Sequence, residues 1–244
     1  MNAIDITKSV YEVYAGCQNY LDVGRVLPET WLGISLPQSS FRTAFSQPGH
    51  FAFEWSDGVN RHLMWSNETG IFEMTGEGNA ARCSNVRLGM AHIMGISRGS
   101  VDNLLPILLG LRGQTILDLE DLQLVLDSSS QHVVSGRSSN SEVVSISVEK
   151  DTFFIRAVSR EHTLSPDSQE RLRFDAEQNL YRLRETGQLT EERFQEFLEC
   201  NRAECLVTDT DVICRTIFQL DEIDLNSQAL EISKITHPTF LLDI

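Results

Sequence analysis

Phe41-Arg42-Thr43-Ala44-Phe45-Ser46-Gln47-Pro48-Gly49-His50-Phe51-Ala52-Phe53-Glu54-Trp55 sets five large aromatics at odd-numbered positions. Side chains alternate faces along a strand, so Phe41, Thr43 and Phe45 share one face and Phe51, Phe53 and Trp55 share another. Pro48-Gly49 separates the two runs, as expected where pairing pauses. Two antiparallel strands with an aromatic face need an apolar cover. Two readings stand side by side: a packed core, or the wall of a cavity for an apolar ligand.

Working outward, Ser56-Asp57-Gly58 reads as a hairpin turn. Arg61-His62-Leu63-Met64-Trp65 is the next strand, and Ile71-Phe72-Glu73-Met74 follows a turn at Asn67-Glu68-Thr69-Gly70. This is a meander. Upstream, Ile6, Val10, Val13, Tyr14, Cys17 and Leu21 recur at helical spacing, which predicts an amphipathic helix over 4–21 that stops near Gly24. Val23–Leu27 reads as a short strand and 28–40 as an irregular connection.

Phe41-x-Thr43-x-Phe45-x-x-Pro48-x-x-Phe51-x-Phe53-Glu54-Trp55, followed by His62-Leu63-Met64-Trp65-Ser66, resembles the core signature of the outer-membrane lipoprotein carrier superfamily, the LolA, LolB and RseB-like proteins. The signature covers about 35 residues, and the order of elements agrees over much of 1–160. The resemblance implies an α+β fold: an incomplete, half-open antiparallel β-barrel with an N-terminal helix and cavity-closing helices around an apolar cavity for acyl chains. Gln47 stands where the family typically places an arginine before the proline. The transfer function that leans on that arginine is therefore not part of the expectation.

Residues 80–111 form a helical island. Val86, Met90, Ile93 and Met94 share a face, Gly95 to Gly99 break the helix, and Ser100 caps a second short one through Leu104, Leu105 and Leu108. By resemblance, this island takes the place of the cavity-closing helices. Residues 115–160 return to strands, with Val144, Ile146 and Val148 alternating against Ser145 and Ser147. Residues 161–210 fit the family least and read as a partly helical insertion in a single LolA-like domain spanning 1–244. Leu172, Phe174, Tyr181 and Leu183 suit a hairpin or a helix. Thr190 is an N-cap for a helix striped with Phe194, Phe197 and Leu198. Val212–Leu220 is a last strand, and Phe240-Leu241-Leu242 ends the tail.

The chain has 35 acidic and 20 basic residues, a net charge of -15. That argues against nucleic acid and against anionic lipid surfaces as partners. No run of about 18 apolar residues predicts a membrane span. Met1-Asn2-Ala3-Ile4-Asp5 has neither the basic nor the apolar segment of a leader. The expected compartment is cytoplasmic if the chain is complete, and the periplasm or cell envelope if a leader was trimmed, as the family would have it. Five widely spaced cysteines do not make a disulfide framework. Cys200, Cys205 and Cys214 lack a histidine at ligand spacing, which favours free thiols over zinc. Glu54 and His62 point away from the aromatics and would face each other across the hairpin, as an ion pair or an acid/base pair.

The residues point to a non-enzymatic protein, without cofactor or metal, that binds a hydrophobic ligand or an acylated protein. The expected lining is Phe45, Phe51, Phe53, Trp55 and Trp65 from the sheet and Val10, Tyr14, Met90, Met94 and Leu105 from the helices. Two other readings stay open: an RseB-like regulatory module whose acidic insertion, near 185–224, binds a protein partner, and a cofactor-free enzyme using the same cavity.

Overall fold

A computed structural model describes residues 1–30, 38–76, 80–97, 99–111, 113, 115–187, 190–204 and 207–226, apart from the side chains of 28–30, 94–96, 200, 201, 203 and 204. The fold is α+β. Among the described residues, eleven strands make one sheet: β1 (Asn19–Thr30), β2 (Ser39–Ser46), β3 (His50–Ser56), β4 (Arg61–Asn67), β5 (Gly70–Thr75), β6 (Ala81–Cys83), β7 (Glu120–Asp127), β8 (Gln131–Arg137), β9 (Val143–Glu149), β10 (Ile155–Leu164) and β11 (Val212–Leu225). Their order is β6-β5-β4-β3-β2-β1-β11-β10-β9-β8-β7, so among the described residues β6 and β7 are the edges and the sheet is not closed. The pairs from β1 to β6 and from β7 to β9 are antiparallel. Among the described residues, five helices accompany it: α1 (Ala3–Ala15), α2 (Val86–Ile96), α3 (Val101–Leu108), α4 (Pro166–Glu185) and α5 (Glu191–Glu204).

The chain divides into two compact units, one of Met1–Leu27, Pro37–Arg160 and Ile217–Ile244, the other of Pro28–Leu36 and Glu161–Thr216. In the first unit, α1 starts at Asn2, whose side chain accepts from the Asp5 amide. It stops at Gly16, earlier than the periodicity predicts. Tyr20 and Leu21 belong instead to β1, because Gln47 N donates to Gln18 O and the β1–β2 register begins at Asn19 opposite Ser46. Gly24 is a packing position in that strand. A Cβ there would lie 2.3 Å from Phe41 Cζ and 2.6 Å from Gln219 O, so the ring of Phe41 closes directly over the glycine opposite it. Arg25 forks onto both oxygens of Asp221 at 2.7 Å, tying β1 to β11.

One apolar core fills the inner face of this unit. It joins Phe41, Phe45, Phe51, Phe53, Trp55 and Met64 to Ile6, Val10 and Tyr14 of α1, to Leu104, Leu105 and Leu108 of α3, and to Val144, Ile146 and Val148 of β9.

In the second unit, Ser165 caps α4 through the Ser168 amide and Pro166 begins the helix. Buried Gln169 donates to the carbonyls of Leu164 and Thr210 and accepts from Thr208 N, each at 3.0 Å. Thr190 Oγ1 accepts from the Arg193 amide at the start of α5. Phe194 packs on Tyr181 at 5.1 Å between ring centroids, with the Arg184 guanidinium 4.3 Å from the Phe194 ring centre. Leu172–Leu183 is thus helical, and Phe197 stands exposed beside the buried pair Phe194 and Leu198. Phe240–Leu242 and Cys205 lie outside the described residues, and so does the side chain of Cys200.

Candidate functional site

The β2–β3 register sets Phe41 opposite Trp55, Thr43 opposite Phe53 and Phe45 opposite Phe51. The two sequence runs therefore fall on a single face and form one aromatic wall. β4 adds Met64 opposite Phe53 and His62 opposite Trp55. Val10, Tyr14, Phe45, Phe51, Phe53, Trp55, Met90 and Leu105, eight of the ten residues expected to line a cavity, meet in this one core. The Met94 side chain is outside the described ones.

Trp65 is the correction. It pairs with Ala52 and lies on the opposite face, where it stacks on Phe72 at 5.6 Å and packs with Ala44 and Leu63. The four-residue loop Asp57–Asn60 fixes Ser56 opposite Arg61, which sets even-numbered residues of β4 beside odd-numbered residues of β3. The same register separates Glu54 from His62. Glu54 faces Leu63 and holds Arg61 through a bidentate pair at 2.8 and 3.2 Å. His62 lies against the Trp55 ring, its Nδ1 3.0 Å from Thr75 Oγ1, and burial lowers its pKa. The expected acid/base pair is therefore not assembled.

The wall is covered, not open. Residues of α1, α2 and α3 join it in one core, with the Met64 side chain against Gly89 of α2, and Phe51, Phe53, Met64 and Leu105 are sealed from solvent. α3 is a light cover of eight residues. It carries Pro106, has Gly99 (φ +86°) and Gly110 (φ +66°) on either side, and lacks a side-chain hydrogen bond at its Ser100 cap. Ser97 Oγ, Ser100 Oγ and Asn103 Nδ2 are buried without a hydrogen-bond partner among the described residues. Each such group costs roughly 1–3 kcal/mol in the closed state.

Two depressions border α3. At its C-terminal end, a groove of about 350 Å³ is bounded by Tyr11, Phe45, Pro48, Ile107 and Leu109, and Phe45 reaches it from the aromatic wall. At its N-terminal end, a cleft of about 520 Å³ is lined by apolar Met90, Pro106, Ile116 and Val144 and by charged Asp102, Glu142 and Arg160 among others. Arg160 Nη2 donates to Asn103 Oδ1 at 3.0 Å. The guanidinium also stands 3.6 Å from Asp102 and 3.7 Å from Glu142. Burial raises the Asp102 pKa, and Arg160 opposes that shift.

A second polar group sits inside the core. Asp22, opposite Thr43, accepts a 2.6 Å hydrogen bond from the Tyr20 hydroxyl. Burial pushes its carboxyl up to about 7, while hydrogen bonds from Tyr20 and Thr43 pull it partly back. Tyr14 closes the cluster, its ring 5.7 Å from Tyr20 and its hydroxyl accepting from Ile155 N at 2.9 Å. Sequence reasoning passed over Asp22 because it assigned 20–21 to a helix. Extending the period-two pattern back through Tyr20, Asp22, Gly24 and Val26 puts an acid on the inner face. Asn103, Glu142 and Arg160 carry no comparable local signal.

No protein-family model matches the chain, and no curated protein matches it. Among solved structures, a DUF1329 family protein from Desulfovibrio piger is similar over 98% of this chain and 97% of its own length, at 10% identity and a TM-score of 0.40. That likeness is too distant to assign fold or function.

Proposed function

We propose that this protein is a non-enzymatic binding protein of the half-open-barrel, lipoprotein-carrier-like kind, which takes an apolar chain between the aromatic wall and its helical cover. The observation that carries this is α3. A short helix with glycine flanks, and with polar groups left unsatisfied among the described residues, packs Leu104, Leu105 and Leu108 into the core that holds Phe45, Phe51, Phe53 and Trp55. Such a cover is drawn from the low-stability end of a fold, where ligand-binding elements are found. An acyl chain would replace the apolar contacts that α3 gives up.

Hydrogen exchange tests this. The amides of 101–108 exchange faster than those of β3 and β9 in the free protein, and their rates change when a long-chain fatty amphiphile is added. Equal protection of α3 and the sheet, together with a clean unliganded mass in native mass spectrometry, defeats the proposal.

An interaction module is the second reading. Leu172, Phe174, Phe197 and Ile213 are exposed in the second unit. A double variant F174S/F197S that loses a protein partner while keeping ligand uptake would favour it.

A further inference from the structure

We propose that the cleft beside α3 receives the uncharged polar head of an amphiphile, a carboxamide or an ester, with Arg160 as its hydrogen-bond donor. This rests on the binding function above and adds the chemistry of the ligand's head.

The charges around the cleft disfavour an ionised head of either sign. Arg160 is a poor anion site because Asp102 and Glu142 already face its guanidinium from the first turn of α3 and from the β8–β9 connection. Asp118, in the same cleft, takes up Thr115 through its amide and hydroxyl at 2.7 and 2.8 Å and brings a third carboxylate. A carboxylate or phosphate head would meet these three acids and a chain of net charge -15. An ammonium head would meet Arg87 and Arg160 beside the three carboxylates, of which Asp102 and Glu142 are already engaged by Arg160 and Asp118 by Thr115. A neutral head meets neither repulsion.

Hydrogen-bonding capacity selects among neutral heads. Arg160 Nε and Asn103 Nδ2 are buried donors without a partner among the described residues, and Asn103 is 2% exposed. What these atoms lack is an acceptor, which a carbonyl oxygen supplies. Arg160 lines the cleft and Asn103 does not, though its Oδ1 accepts from Arg160 Nη2 at 3.0 Å; both donors are closed off from solvent in this state, so they meet a ligand only as α3 shifts. Met90, Pro106, Ile116 and Val144, which line the same cleft, would receive the first methylenes of the chain.

The test compares three probes that share one alkenyl chain: oleamide, oleate and oleylamine, competed against an environment-sensitive apolar dye near pH 7. Oleamide is expected to bind at least about tenfold tighter than either charged probe, the size of one well-made hydrogen bond. The R160M variant should lose that preference and still bind the chain. In D102N/E142Q, which leaves the arginine in place, preference should move toward oleate. Tightest binding by oleate to the unaltered protein overturns the proposal. So does an unchanged oleamide preference in R160M, or in D102N/E142Q should R160M not fold. If all three probes bind equally, the head assignment fails and the binding function stands. If none binds, the binding function itself fails.

Discussion

Tyr20 and Asp22 stand two residues apart on one strand, and the tyrosine hydroxyl donates a 2.6 Å hydrogen bond to the aspartate inside the core. The acid is 1% exposed, and burial raises its pKa from 3.8 to about 7. A carboxyl whose folded pKa exceeds its unfolded value binds its proton more tightly in the native state. Its contribution is therefore full below about pH 4, falls as pH rises from about 4 to about 7, and is level above that. At about 1.36 kcal/mol per pH unit, the loss is at most about 4 kcal/mol. Asn at this position keeps an acceptor for Tyr20 and removes the charge. D22N should be more stable than the parent in urea denaturation at pH 8, with the difference vanishing near pH 4. A difference independent of pH would refute the assignment.

Gly24 and Phe41 form a second test of the core. In G24A the new methyl would overlap the ring at 2.3 Å and the Gln219 carbonyl oxygen at 2.6 Å. Overpacking of this kind costs roughly 1–3 kcal/mol. Shrinking the ring with F41L should recover part of that loss in G24A, and the carbonyl clash should keep the rest. Full additivity of the two changes in a denaturation cycle would show that they do not touch.

Chain length should set a threshold for ligand uptake. Leu104, Leu105, Ile107 and Leu108 are fully buried on α3. At roughly 1.5–3 kcal/mol each, lifting them from the core costs roughly 6–12 kcal/mol, which roughly 8–15 methylenes offset at about 0.8 kcal/mol apiece. A series of fatty amides should bind weakly below that length and saturate above it, as read by dye displacement. Affinity that rises evenly from the shortest chain would point to a preformed groove instead of a displaced helix.

Trp55 and Trp65 report opposite faces of one sheet. With Trp31 and one of the two replaced by Phe, each can be followed alone. A chain brominated along its length should quench Trp55 and leave Trp65 unaffected. The reverse pattern would place the ligand on the Ala44–Leu63–Trp65 side and undo the proposed wall.

The meander was legible because its signals are local. Alternating aromatics, Ser56-Asp57-Gly58 and the Asn67–Gly70 turn specify strands and hairpins within a few residues of each other. Val144, Ile146 and Val148 were equally readable, and all three are buried as their period-two pattern requires. The helical island was readable in α2 and α3, but not in Ala81–Cys83, which pairs with β5 as a strand, nor in Ser100, whose side chain makes no capping hydrogen bond. The end of α1 was less legible. Tyr20 and Leu21 continue a helical period, and pairing with β2 overrode that preference.

The sequence by itself determined that an aromatic strand pair exists, that a helix precedes it and that short helices follow it. It also determined a strongly acidic chain. Only the tertiary structure decided which side of the sheet each residue faces, because a one-residue difference in pairing moves a side chain through the sheet. That placed Trp65 away from Phe53 and parted Glu54 from His62. It also brought Arg160 to Asn103 across 57 positions of chain, a 3.0 Å contact that no spacing rule encodes. The eight aromatic and aliphatic side chains were named by their residue types. Their meeting in one core follows from how far-separated segments pack, which is a property of the folded chain alone.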